Sequence, residues 1–304
     1  MNNIMSAVDQ EEADTVMCCA SCGKAEVDDV KLKICTACKL VKYCSVDCQK
    51  NHRRQHKREC KKRADELRDG DLLTLPGGNQ FGECPICFLP LPLDYTKWTM
   101  MTCCSKRICY GCDYANQTRE REEGLKHRCP YCREPMPDTD EEIEKNQMKR
   151  VEANDPVALR ELGKRLRDTG EYNRAFQYFT KAAGLDDVEA HFELSVLYRK
   201  EHGVELDKKK ELYHLEEAAI GGHVDARYNL GCVENGKGRI DRALKHWIIA
   251  AKQGYDNALE PVKKGFAHGL VSKEDHEAAL RGYQATVDAA KSDQREEAYL
   301  RLSD

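Results

Sequence analysis

From about residue 155 onward, apolar positions return every three or four residues, the period of a helix with one buried stripe. The recurring sets are Leu159, Leu162 and Leu166; Phe176, Phe179 and Ala183; Leu194, Leu197 and Tyr198; Leu212, Leu215 and Ala219; and Leu244, Trp247 and Ile248. A longer period overlies this one. An Ala-Ala pair followed seven residues later by a third alanine occurs at Ala182-Ala183 to Ala190, Ala218-Ala219 to Ala226 and Ala250-Ala251 to Ala258, so the first alanines lie 36 and 32 residues apart. Each unit reads as two helices, and small residues at fixed places let neighbouring backbones approach. Gly222 and Gly254, three residues after the second alanine of their pairs, suit a left-handed helix stop. Stacking such units builds an α-solenoid.

The first half lacks this period and is punctuated by cysteine. Of 17 cysteines, 16 lie between Cys18 and Cys132, and Cys232 stands apart. The start of the chain is acidic and has no apolar stretch of signal-peptide length, and no stretch elsewhere approaches a membrane span. The expected location is therefore intracellular, cytoplasmic and/or nuclear. Closely paired thiols in a reducing compartment hold metal more readily than they form disulfides. Charged residues make up 34 % of the chain and aromatics 7 %, which fits amphipathic helices better than a large aromatic core. A net charge of -4 from an even mixture of signs sets up no long-range field for a polyanion or an anionic membrane.

The first cysteine block reads Cys19-x2-Cys22, Cys35-x2-Cys38, Cys44-x3-Cys48 and His56-x3-Cys60. Eight donors make two closed tetrahedra of zinc. His56 and Cys60 share a helix face, predicting a helix over Asp47 to Arg63 with its basic residues outward. The ordered set, with Tyr43 and Gln49 in place, resembles the MYND zinc finger. The resemblance implies interleaved sites, Cys19, Cys22, Cys44 and Cys48 for one ion and Cys35, Cys38, His56 and Cys60 for the other. Cys18 and His52 are spare, and His52 reads as a solvated helix residue. Eight of the residues from Lys50 to Arg63 are Lys or Arg. No aromatics interleave to stack bases, so a solvated helix face is preferred to a nucleic-acid patch.

The second block contains Cys84-x2-Cys87, Cys103-Cys104, Cys109-x2-Cys112 and Cys129-x2-Cys132. Its CPIC opening and CPYC closing segments resemble a RING finger in an all-cysteine variant, lacking the Cys-x-His that usually precedes the third pair. The resemblance implies that the first and third pairs share one ion and the second and fourth the other. The last site has Cys104, Cys129 and Cys132 as donors, with Cys103 or His127 as the fourth, Cys103 being favoured. The RING resemblance also implies that Ile86, Pro130 and Arg133 contact a ubiquitin-conjugating enzyme and ubiquitin. No H-E-x-x-H or deaminase-type H-x-E segment accompanies these cysteines to supply a general base.

The repeats resemble the Sel1-like family, related to tetratricopeptide repeats. Its A-x3-LG and KA...AA-x2-G helices match Ala158 to Gly163, Ala226 to Gly231 and Arg242-Ala243 to Gly254. Asp186 replaces the expected Gly of the first unit, Ser195 that of the second, and the unit containing Pro261 is degenerate. The expected fold is mostly α: two small zinc-stabilised cross-brace modules followed by a right-handed α-solenoid of helix-turn-helix repeats. The expected segments are a disordered tail (1–16), MYND-type finger (17–63), linker (64–83), RING-like finger (84–135), linker or helix (136–154), about four repeats (155–290) and a helix end or tail (291–304).

Four zinc ions are expected. The resemblances imply an interaction scaffold that binds partner proteins or peptides through the MYND finger and repeats. The alternative is a RING-type ubiquitin ligase whose MYND finger and repeats choose the substrate. A lysine-methylating domain has no room in the remaining chain.

Overall fold

The structure, a computed structural model, describes residues 18–27 and 30–301. The acidic tail predicted to be disordered lies outside them. The chain divides into two compact units between Asp71 and Leu72.

The first unit pairs a short strand β1 (Lys33–Ile34) antiparallel with β2 (Lys42–Tyr43) and then enters helix α1 (Val46–Leu72). Ser45 starts that helix, its Oγ accepting from Cys48 N at 3.1 Å. The buried centre consists of Cys19, Leu32, Cys35, Cys38 and Tyr43. Two ordinary apolar side chains are too few to hold such a fold, so its stability must come through the cysteines. The helix does not stop at Arg63. It continues into the segment expected to be linker, because residues 64–72 are mostly good helix formers and Glu66 pairs with Lys62 and Arg63 one turn back.

The second unit begins with a small cysteine-rich module. Strands β3 (Trp98–Met101) and β4 (Lys106–Cys109) form a hairpin in which Trp98 faces Cys109, and helix α2 (Tyr110–Glu122) follows directly. Leu91, Met101 and Ile108 fill its centre beside the cysteines. Helix α3 (Asp140–Glu152) leads from the module into α4 (Pro156–Asp168), α5 (Tyr172–Ala183), α6 (Val188–Lys200), α7 (Lys208–Ile220), α8 (Val224–Gly236) and α9 (Ile240–Lys252). Hairpins α4/α5, α6/α7 and α8/α9 stack through α5 on α6 and α7 on α8. Helices α10 (Leu259–Ala267) and α11 (Lys273–Ala289) close the array, α11 packing on α9. The protein is thus mostly helical, with small cysteine-built modules preceding a solenoid of helix-turn-helix units.

The alanine frame is the contact surface of this array: Ala182, Ala190, Ala218, Ala219, Ala226, Ala250, Ala251 and Ala258 are fully buried. The glycine of each A-x3-LG helix is a socket for an aromatic ring. A Cβ at Gly163 would lie 2.7 Å from the Phe179 ring, and one at Gly231 2.4 Å from Trp247. In the second unit Ser195 occupies the socket and turns its hydroxyl back to Phe192 O at 2.7 Å.

Gly222 and Gly254 are left-handed, with φ of 96° and 89°. Asp186, at the matching place, adopts the same conformation with φ of 61°. A β-carbon strains this conformation by about 1 kcal/mol or more, partly offset by the greater unfolded freedom of glycine. Asp186→Gly is therefore expected to leave the fold unchanged and raise its stability by a few tenths of a kcal/mol up to about 1 kcal/mol, read as a higher thermal midpoint.

His223 caps α8, accepting from Ala226 N at 3.4 Å, and stacks on Phe192. Its burial pushes the imidazole pKa down to about 4. The unfolded chain takes up a proton below about 6.5 while the folded chain does not until about 4, so stability is lost as pH falls through that window. Between pH 7 and pH 5 this group alone is expected to remove about 2 kcal/mol. Urea unfolding at the two pH values should show a smaller drop in His223→Asn, which keeps a capping side chain but cannot take up the proton.

The segment expected to be a helix end or tail carries a helix over 293–300. Helix α12 (Asp293–Leu300) folds back and packs on α2 of the cysteine-rich module. Sequence periodicity gave no sign of this, since the helix is short and its anchor is a charged residue, Arg295. Two other charges, both largely but not fully buried, join the same module to the solenoid. Arg107 of β4, lying over Phe81 and Trp98, pairs with Glu189 of α6. Glu189 also meets Arg160 at 3.4 Å and Lys164 at 3.1 Å, while Arg160 pairs with Asp187 at 2.6 Å.

Candidate zinc centres

Among the described residues, four groups of donor atoms are gathered, each with all its atoms within 4.8 Å of one another: Cys19, Cys22, Cys44 and Cys48; Cys35, Cys38, His56 and Cys60; Cys84, Cys87, Cys109 and Cys112; Cys103, Cys104, Cys129 and Cys132. A tetrahedron of Zn–S bonds of about 2.3 Å has edges near 3.8 Å. The separations agree with that figure: Cys22 to Cys44 is 3.6 Å, Cys35 to Cys60 3.8 Å, Cys87 to Cys109 3.8 Å and Cys104 to Cys129 3.9 Å. His56 presents Nε2 to Cys38 Sγ at 3.2 Å, shorter than the sulfur–sulfur edges, the direction set by the shorter Zn–N bond. The donor sets fit zinc, four ions per chain.

Local structure explains how each pair reaches its partner. Within the first unit, the β1/β2 hairpin spaces Cys35 and Cys38 from Cys44, while α1 presents Cys48, then His56 and Cys60 one turn apart. In the second unit, Cys109 ends β4 and Cys112 lies in the first turn of α2, opposite Cys84 and Cys87. Tight turns carry the other pairs: Phe88 and Arg133, each just beyond a cysteine pair, adopt left-handed φ of 57° and 65°.

Four thiols at these distances cannot all ionise unless a cation lies among them. Cys129 is drawn down to about 4 by the hydrogen bond from Cys104, whereas burial and the neighbouring Cys132 push Cys103 up to about 12. A divalent ion removes that conflict and favours the thiolate at every position.

The open choice between Cys103 and His127 has a geometric answer. Cys103 Sγ lies 3.4 Å from Cys132 Sγ within the cluster. His127 instead turns Nδ1 to Glu120 Oε2 at 2.9 Å, and Arg128 N donates to the same oxygen. Glu120 is only 4 % exposed, so it holds His127 firmly as a brace of the loop. The spare His52 is not simply solvated either. Its Nδ1 is 3.1 Å from the Tyr43 hydroxyl and its ring stacks on that of His56, which orients a donor of the second cluster. Cys18 and Cys232 are exposed and stand outside all four groups.

The three residues that the RING resemblance singles out differ in exposure. Ile86 is 37 % exposed and Arg133 is exposed, its Nη1 donating to Asn116 Oδ1 at 3.2 Å, but Pro130 is buried. Among the described residues, no helix is long and apolar enough to cross a membrane.

Comparison with known proteins agrees with the first module. The family model for the MYND finger matches residues 19–60, which are a MYND finger. A search of curated proteins gave no match. Among solved structures, a Sel1 repeat protein from Oxalobacter formigenes is 23 % identical, covering 61 % of this chain and 75 % of that one at a TM-score of 0.42. The protective antigen c5321 of uropathogenic Escherichia coli, displaying an SLR fold, is 18 % identical over 63 % of this chain and 39 % of that one, with a TM-score of 0.38. MamA is 20 % identical over 60 % and 95 % of the two chains, with a TM-score of 0.31.

Proposed function

We propose that this chain is a zinc-stabilised scaffold that binds partner proteins through its MYND finger and helical repeats. The carrying observation is that each metal cluster supplies four protein donors. A filled tetrahedron leaves no position for a reacting water, so zinc shapes surfaces here instead of activating a substrate. An array of stacked helical hairpins adds an extended face suited to protein recognition. The test is cross-linking of partners captured by the zinc-loaded full chain. Cross-links concentrated on residues 19–60 and 156–289 support the reading. Partners still captured after both zinc modules and the repeats are deleted would remove it.

One observation favours a second reading, a RING-type ubiquitin ligase. In the second module the first and third cysteine pairs gather together, as do the second and fourth, which is the cross-brace arrangement of that family. Ile86 beside it is partly exposed and Phe88 is 71 % exposed. Such a ligase acts by positioning a loaded conjugating enzyme. Discharge of ubiquitin from a panel of loaded enzymes, slowed by Ile86→Ala and Arg133→Ala, is the result this reading requires. No stimulation by the intact protein ends it.

A further inference from the structure

Arg295 belongs to helix α12, yet its side chain leaves the solenoid end of the chain for the loop that carries Cys87. Only 1 % of Arg295 is exposed. Its Nη1 donates to Pro90 O at 2.7 Å and to Ala290 O at 2.6 Å, and its Nη2 donates to Leu89 O at 3.1 Å and to Cys87 Sγ at 3.3 Å. The helix is seated to allow this reach. A Cβ at Gly111 would come within 3.0 Å of Arg295 Cα, and Gln294 Nε2 donates to Gly111 O at 3.1 Å. Gly111 separates Cys109 from Cys112, so α12 touches both cysteine pairs of one cluster. Lys97 lies 4.9 Å over the Tyr299 ring and holds the far end of the helix.

We propose that Arg295 is an outer-sphere positioning residue of the Cys84, Cys87, Cys109 and Cys112 zinc site, and that α12 thereby locks the module's metal to the end of the solenoid. Four thiolates around one divalent ion carry a net double negative charge in a buried place. A guanidinium donating to one of the sulfurs offsets part of that charge and fixes the orientation of Cys87. The same guanidinium ties down the carbonyls of Leu89 and Pro90, which follow Cys87 in the zinc loop. Linkage makes the relation reciprocal: a docked α12 tightens zinc, and bound zinc tightens α12.

The test uses full-length protein loaded with zinc. Arg295→Met keeps an unbranched apolar stem and removes every donor. Release of zinc to a chromophoric chelator is expected to show one ion of four leaving about 10- to 100-fold faster in the variant, which is the usual loss of metal affinity on removing such a supporting group, expressed in the off-rate. Arg295→Lys, which keeps the charge and a donor but not the fork, should fall between variant and parent. Hydrogen exchange supplies the reciprocal reading, with 293–300 in the parent losing protection in step with exposure of the Cys84, Cys87, Cys109 and Cys112 loops as that site gives up its ion. Cobalt(II) substitution reports on the sulfur itself, since loss of the N–H···S bond should shift the thiolate-to-metal absorption of one site in four. A variant that loses α12 protection while all four ions leave at the parental rate and the cobalt spectrum stays unchanged would confine Arg295 to packing and overturn the proposal.

Discussion

Removal of zinc is expected to unfold the MYND finger completely. Its buried centre is five residues, of which three are cysteines of the two clusters. Structural zinc contributes an apparent free energy of roughly 10 to 16 kcal/mol in small finger peptides, more than such a core can replace. The second module has a larger apolar centre in Leu91, Met101 and Ile108, but both ends of its hairpin are set by cysteine pairs. It should therefore lose its loops at 84–90 and 129–135 on chelation. The helices from α4 to α9 should persist, because their alanine-lined contacts contain no metal. Hydrogen exchange with and without chelator separates these outcomes: full exchange of 19–60 is expected, with continued protection of α4 to α9. Slow exchange of 19–60 in metal-free protein would contradict the account of that finger.

The second large effect is expected at Glu189. This carboxylate is largely buried between Arg107 of the zinc module and Arg160 and Lys164 of the solenoid. Burial pushes its pKa up, but the surrounding cations prevail and hold it at about 2. The folded value lies below the unfolded value, so its contribution is present at neutral pH and is lost as pH falls from about 4.5 towards 2. Glu189→Gln preserves shape and leaves buried cations without their counter-charge. Loss of one partner of a buried ion pair typically costs about 3 to 5 kcal/mol, because the other charge stays desolvated. Asp187 and Glu161 still face Arg160, so the burden falls on Arg107, which has burial working against its charge. Denaturant unfolding of the single variant should show that loss, while Glu189→Leu combined with Arg107→Leu should recover much of it. Equal stability of Glu189→Gln and parent would show that the pair carries little of the junction.

The solenoid was legible in the sequence because its determinants are local and repeated. The alanine frame, the Gly163 and Gly231 sockets and the left-handed stops at Gly222 and Gly254 recur at fixed offsets, and each sits where the period put it. Asp186, an apparent departure, keeps the backbone conformation of the glycine it replaces. The pairing of cysteines was legible only by resemblance, since spacing says which thiols share a turn and not which turns meet. The role of His127 hung on Glu120, a residue on another element with no spacing rule to join them. Arg107, Arg160 and Arg295 escaped notice for a related reason. A buried arginine in sequence is indistinguishable from a solvated one, and the partners here lie as far away as Glu189 from Arg107 or Cys87 from Arg295. The extension of α1 to Leu72 was hidden by a charged stretch that reads equally as linker.

Four closed clusters should hold four structural zinc ions. Native mass spectrometry of the full chain measures this directly. A mass increase of four zinc ions is expected, and Cys103→Ala should retain three firmly while His127→Ala retains all four. Three ions in the parent, or loss of an ion on changing His127 but not Cys103, would contradict it.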